Sequence, residues 1–237
     1  VLNIKGTLFS TQIDKSKALD YYTDALKYAK QLGDRRNIAG IQTNIGNLYK
    51  QQGDDAKAEV YYTNSLKVFE SLGELGGSSG CILNLGVIYY NQGNFDKAHQ
   101  YYNKSLAYAQ KSGSTREEMM ARIRIEEFYS AKGDNLKAIE VGRASLKMAE
   151  ESGDIAAWSN TAGLLYNNYR ILGQLDSAIK MQDIALTLRD SLNSLENKEV
   201  LIEQELKFVY EQKVLADSLA QVQADLEQKL THEQIVK

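Results

Sequence analysis

Glycine recurs at a fixed interval of twenty residues: Gly33, Gly53, Gly73, Gly93, Gly113, Gly133, Gly153 and Gly173. Self-similarity at a fixed period marks a stacked array, in which each unit buries its apolar face on its neighbours. Glycine takes the left-handed backbone conformation without penalty, so at this spacing it ends one helix and lets the next begin. The interval predicts helices of roughly sixteen to eighteen residues joined by short turns. Asn193 stands at the next interval, and asparagine also tolerates that conformation.

The residues between the glycines match only at a spacing of forty. Lys17-Ala18, Tyr21-Tyr22 and Ala25-Leu26 recur as Lys57-Ala58, Tyr61-Tyr62 and Ser65-Leu66, then as Lys97-Ala98, Tyr101-Tyr102 and Ser105-Leu106. Lys137-Ala138 with Ser145-Leu146, and Ala178 with Ala185-Leu186, keep the register. The other half reads Asn44-Ile45-Gly46, Leu48-Tyr49, Gly53-Asp54 and returns as Asn84-Leu85-Gly86, Ile88-Tyr89, Gly93-Asn94. Phe128-Tyr129 and Tyr169 continue it.

This pattern resembles the tetratricopeptide repeat, a helix–turn–helix unit with small residues where its two helices cross. Gly46, Gly86, Ala18, Ala58, Ala98, Ala138 and Ala178 sit at those crossings, and Tyr49, Tyr89, Tyr129 and Tyr169 at the family's aromatic position. Two features depart from the family: the period is forty rather than the commoner thirty-four, and the chain has no proline. The resemblance implies an all-α, right-handed superhelix of about five helix pairs over residues 1–193, with repeats at 1–33, 34–73, 74–113, 114–153 and 154–193. A long C-terminal helix over 194–237 is expected to follow.

That last segment contains no glycine and is rich in Glu, Gln, Lys and Leu, a composition that favours helix. Leu195, Ile202, Leu206 and Val209 form one stripe, expected to cap the last repeat. Leu215, Leu219, Val222, Leu226 and Leu230 form a second in a different heptad register. For the second stripe a homodimer seam stands beside a frayed tail or a helix folded back on the array. The stretch Phe208-Val209-Tyr210-Glu211-Gln212-Lys213, followed by Ala216-Asp217-Ser218-Leu219-Ala220, is similar to the connector of Bacteroidetes-type sensor proteins, where a repeat array precedes one membrane span and an effector such as a histidine kinase. This second resemblance implies a bacterial signal-transduction role and a place on the periplasmic side of a membrane-anchored protein. A freestanding scaffold or adaptor in the cytoplasm is the alternative. Val1–Asp14 aligns with Ile41–Asp54, so the sequence is read as opening inside a first helix with something before it.

Catalytic chemistry finds little footing. The two histidines, His99 and His232, are far apart and join no metal-ligand spacing, and no serine elbow or phosphate loop with its lysine occurs. The doublets Glu117-Glu118, Glu126-Glu127 and Glu150-Glu151 fall on predicted helices and read as solvated faces. Cys81, the one cysteine, lies beside Ile82 on an apolar face and reads as a buried thiol. With a net charge of −3 and mixed signs, no basic stripe suggests a nucleic-acid backbone, and no apolar run is long enough to span a membrane. The run Gly73–Gly80 lacks a lysine and replaces the first turns of a helix, so a late-starting or frayed helix is expected there. No enzyme activity, cofactor or metal is expected.

The resemblance places the candidate site in the concave groove, where the family's first helices bind extended peptides or partner helices. Groove-facing positions are Thr43, Asn47 and Lys50; Leu83, Val87 and Tyr90; Met120, Ile123 and Glu127; and Asn167 and Arg170. Asn44, Asn84 and Arg124 lie at the adjoining edge. Some members grip a peptide's terminal carboxylate with Lys and Asn at such positions. Here Asn47, Asn84 and Arg124 match, whereas Thr43 and Met120 stand where two lysines would be. The expectation is a groove that is apolar at Leu83, Val87, Tyr90 and Ile123, flanked by asparagines able to pair with a peptide backbone, or else the same apolar residues packing against neighbouring helices.

Overall fold

The computed structural model describes residues 15–194. Among these, eight helices follow one another: α1 (Lys15–Gln31), α2 (Arg35–Gln51), α3 (Asp55–Leu72), α4 (Leu75–Asn91), α5 (Phe95–Ser112), α6 (Thr115–Ala131), α7 (Asn135–Ser152) and α8 (Ile155–Ile171). A ninth, α9, begins at 175 and is helical through 194. Two compact units divide the chain, one ending at Ala185 and one running from Leu186 to Lys237. Of the second, residues 186–194 are described, and they are helical. Both C-terminal stripes, from Leu195 to Val209 and from Leu215 to Leu230, lie outside the described residues, as does the first helix read over 1–14.

The forty-residue period has a simple anatomy. First helices such as α2, α4, α6 and α8 have 17 residues and second helices such as α3, α5 and α7 have 18. First helices hand over through three residues, and the second helices α3, α5 and α7 through two. Each turn holds one of the eight periodic glycines at positive φ, between 67° and 78°. With glycine left-handed, the next amide reaches back to the last helical turn: Asp54 N–H donates to the Tyr49 carbonyl at 2.9 Å and Glu74 N–H to the Phe69 carbonyl at 2.9 Å. The following helix starts at once, because the residue after the glycine caps it. Asp34, Asp54, Asn94, Asp134 and Asp154 each accept a backbone N–H three residues on. Asn193 departs from this series: it is helical, and no described non-glycine residue has positive φ.

Helices pack on their chain neighbours, and first helices also touch the next first helix, α4 on α6 and α6 on α8. The crossings are built from size pairs. Ala18, Ala58, Ala98 and Ala138 are wholly buried. A Cβ added at Gly46 would stand 2.8 Å from the Tyr62 ring, and one at Gly86 would stand 2.7 Å from the Tyr102 ring. Each glycine thus admits a tyrosine from the second helix of its own pair. In the next pair the sizes are exchanged: Glu126 occupies the glycine's position, Gly142 occupies the tyrosine's, and a Cβ at Gly142 would collide with the Glu126 carboxyl.

The glycine run does not fray. α4 starts at Leu75, directly after the turn, and carries Gly76, Gly77 and Gly80 in its first turns. A Cβ at Gly77 would stand 2.7 Å from the Phe69 ring. Glycine here trades helix propensity for close approach of α3, and Ser78 and Ser79 behind it are fully buried.

A lysine-on-tyrosine motif repeats along one edge. Lys57 lies 5.0 Å from the Tyr49 ring centroid, Lys97 3.7 Å from that of Tyr89 and Lys137 5.4 Å from that of Tyr129. This cation–π ladder ties each second helix to the first helix before it.

Candidate binding groove

First helices α2, α4 and α6 bring the predicted positions to one side of the array, and they divide into two zones. The first is a polar bridge between α2 and α4. Lys50 Nζ donates to Asn84 Oδ1 at 3.0 Å, and Asn84 Nδ2 donates to Asn47 Oδ1 at 3.3 Å. Asn47 Oδ1 also accepts from the Tyr62 hydroxyl at 2.7 Å, so the tyrosine that fills the Gly46 notch ends in the groove network. Burial lowers the Lys50 pKa, and the charge of Arg124 lowers it further against the pull of Asp55.

The second zone is a pocket of about 300 Å³ lined by Val87, Tyr90 and Asn91 of α4, Tyr102 of α5, and Arg124 and Glu127 of α6. Arg124 and Glu127 form an ion pair at 2.6 Å that stays partly open to solvent. Tyr90 makes an edge-on contact with Phe95, 5.1 Å between centroids. Burial pushes the Tyr102 hydroxyl pKa upward. The pocket thus offers apolar and aromatic walls with a charge pair at one side. A shallower hollow of about 370 Å³ lies at the turn lined by Gln92, Gly93, Asn94, Phe95, Asp96 and Lys132.

Several predicted residues serve other ends. Leu83 and Ile123 are 9% and 2% exposed and belong to core clusters, so the middle of the groove is less apolar than the sequence suggests. The Thr43 hydroxyl lies 2.7 Å from Ser65 Oγ and 3.1 Å from the Ala39 carbonyl, directed into the α2–α3 interface. Met120 packs against the core clusters. Asn44 is partly buried, and Asn167 and Arg170 are exposed on α8, with Arg170 5.7 Å from the Tyr166 ring centroid. Val87, Tyr90 and Arg124 are brought together with Glu127. Tyr102 and Asn91 were missed by the sequence reading. Gly86 was the available clue for Tyr102, since a notch in a first helix calls for a large residue from its partner.

Cys81 is buried 3.4 Å from Ser65 Oγ, and burial raises its thiol pKa. His99 stacks on Phe128 at 4.4 Å with rings nearly parallel, and burial lowers its pKa. No group of three or more metal-ligating side chains forms among the described residues, and no described helix is long and apolar enough to cross a membrane. Glu150 and Glu151 are exposed, as expected of a solvated doublet, but Glu126 is not: it is fully buried.

Two family models, both described as tetratricopeptide repeat, match residues 39–71 and 78–151. No curated protein matches the chain. Among solved structures, BtubC (BKLC) from P. vanneervenii is 23% identical, with 81% of this chain and 80% of that one covered and a TM-score of 0.68. A Rap protein complexed with competence and sporulation factor is 22% identical, with 81% and 52% covered and a TM-score of 0.61. The Rap conjugation gene regulator of the plasmid pLS20, solved in complex with a peptide, is 16% identical, with 83% and 55% covered and a TM-score of 0.67. The chain spans about half the length of these two Rap structures, and the likeness in all three cases is one of fold.

Proposed function

The chain belongs to the tetratricopeptide-repeat family, and we propose that it is a non-catalytic module that binds a peptide or protein segment in the groove of its first helices. The observation that carries this reading is the pocket of Val87, Tyr90, Tyr102, Arg124 and Glu127 beside the Asn47–Asn84–Lys50 bridge. An apolar side chain of the partner enters the pocket, while the asparagine amides pair with its backbone. That two Rap structures of this fold were solved with a factor or a peptide bound supports peptide or protein binding.

We further propose that the module is the sensory region of a bacterial signal-transduction protein, on the periplasmic side of a membrane. The connector-like stretch from Phe208 to Ala220 supports this role, and a homodimer through Leu215, Leu219, Val222, Leu226 and Leu230 would transmit the bound state. Panning a displayed random-peptide library on the wild-type chain tests the groove. The double substitution Tyr90→Ala with Asn84→Ala should lower affinity for the selected peptides by about tenfold or more, as loss of an aromatic anchor does. Equal affinity of the folded double variant removes this site.

A further inference from the structure

Glu126 is the one described carboxylate that is fully buried with no hydrogen-bond partner for either oxygen. It fills the notch that Gly142 leaves in α7, where any side chain on that residue would strike its carboxyl. We propose that Glu126 and Gly142 form a proton-controlled latch between α6 and α7, closed while the carboxyl is neutral and released when it ionises.

Among the described residues no cation is placed to hold the ionised form. On α6 itself, Arg116 is exposed, Arg124 is paired with Glu127 and Arg122 with Glu118. On α7 the charged residues Lys137, Glu140, Arg143, Lys147, Glu150 and Glu151 are all exposed. α8 carries a single charged residue, exposed Arg170, and α4 carries none, contributing only the phenols of Tyr89 and Tyr90 and the thiol of Cys81. On α5, Lys97 sits over Tyr89, His99 is stacked on Phe128, Tyr101 and Tyr102 are phenols, and Asp96, Lys104 and Lys111 are exposed. Burial first, and the adjacent Glu127 charge second, raise the Glu126 pKa to about 9. The closed latch therefore holds a proton that the open one releases.

The sign follows from linkage. When α6 and α7 part, the carboxyl returns to its ordinary value of 4.5, so opening releases one proton at any pH between 4.5 and about 9. The opening constant then rises about tenfold per pH unit across that window and levels off above it. α6 also bears Arg124 and Glu127, so opening disturbs the pocket. That consequence rests on the groove reading, while the latch does not.

Trp158 is the only tryptophan, and it packs with Met119 and Ile123 of α6 and Ala149 of α7, so its emission reports on this junction. Trp158 fluorescence and hydrogen exchange of α6 and α7 would be followed without ligand in the full chain from about pH 6 to about 9.5. Wild type should open progressively with pH, after correction for intrinsic base-catalysed exchange, and Glu126→Gln, which keeps the shape but cannot ionise, should give a flat profile. Because the buried amide could itself unfold the variant, carbon-13 spectra of glutamate-labelled wild type give a second reading, in which one side-chain carboxyl titrates far above the rest. The same slope in Glu126→Gln, or no carboxyl titrating above about pH 7 in wild type, overturns the latch. Neither result bears on whether peptides bind the groove.

Discussion

Single residues decide how closely helices approach, and the glycines of this array divide by that criterion. Gly86 faces the Tyr102 ring at a distance no Cβ tolerates, whereas Gly80, in the same helix, has nothing within 4 Å of an added Cβ. Helix propensity favours alanine at both sites by up to about 1 kcal/mol. At Gly86 the collision with the buried ring outweighs that gain, so Gly86→Ala should destabilise by about 1–3 kcal/mol. Gly80→Ala should stabilise by about 0.5–1 kcal/mol. Urea unfolding of the two variants checks the opposite signs. Composition could not reveal this difference. A glycine needed for packing and a spare one look alike, and so the run Gly76, Gly77 and Gly80 suggested fraying where Phe69 needs Gly77's space. Glu126 was similarly hidden inside an acidic doublet. Its clue lay in comparing registers, since it stands forty residues after Gly86 while Gly142 stands forty after Tyr102.

At the scale of the helix, boundaries were the most readable part of the chain. A left-handed glycine followed by a capping side chain is a local event that needs no tertiary knowledge, and five of the eight turns carry both parts. Two helices lack the side-chain bond at their start, those after Glu74 and Ser114. In the second, the Ser114 hydroxyl donates to Glu117 instead. The aspartate caps make stability sensitive to acid. Bonds from Asn37 hold Asp34 below the ordinary carboxylate value, and bonds from Lys57 and Lys137 do so for Asp54 and Asp134. Their contribution is present above 3.8 and disappears as pH falls through the lower folded values. Asn94 already caps α5 without a titrating group. Replacing Asp34, Asp54 and Asp134 by asparagine should keep the caps near neutral pH and flatten the loss of stability below about pH 4. Urea midpoints measured against pH decide it, and an unchanged acid slope would show that other carboxylates dominate.

For the whole array, contacts reach only the next helix or the next first helix, so stability is expected to be regional rather than uniform. Ile88 in α4 and Leu165 in α8 are both fully buried, and truncating either to alanine should cost about 2–4 kcal/mol locally. Leu165→Ala should speed hydrogen exchange in α7 and α8 and leave α2 and α3 as in wild type, whereas Ile88→Ala should loosen the helices on both sides of it. Even loss of protection throughout the Leu165 variant would mean that the array unfolds as one body. The fold was legible in the sequence because periodicity repeats the same evidence in every copy. The site was less so, because the groove is where the copies differ. Lys50, Tyr90, Ser130 and Arg170 share one register position with four chemistries, and only coordinates reveal which partner each finds.

Near-identical copies carry a hazard of mistaken identity during folding, since the Gly86 notch of α4 could in principle admit Tyr62 of α3 in place of Tyr102 of α5. The inverted pair in the fourth repeat works as an address. Glu126 has no room opposite a tyrosine, and Gly142 opposite Gly46 or Gly86 would leave a void, so α6 and α7 recognise one another and reject the substitutes. One exchanged couple thus sets the α6–α7 pair apart from the two that keep glycine and tyrosine in the usual order, and gives a chain built from repetition one fixed reference point.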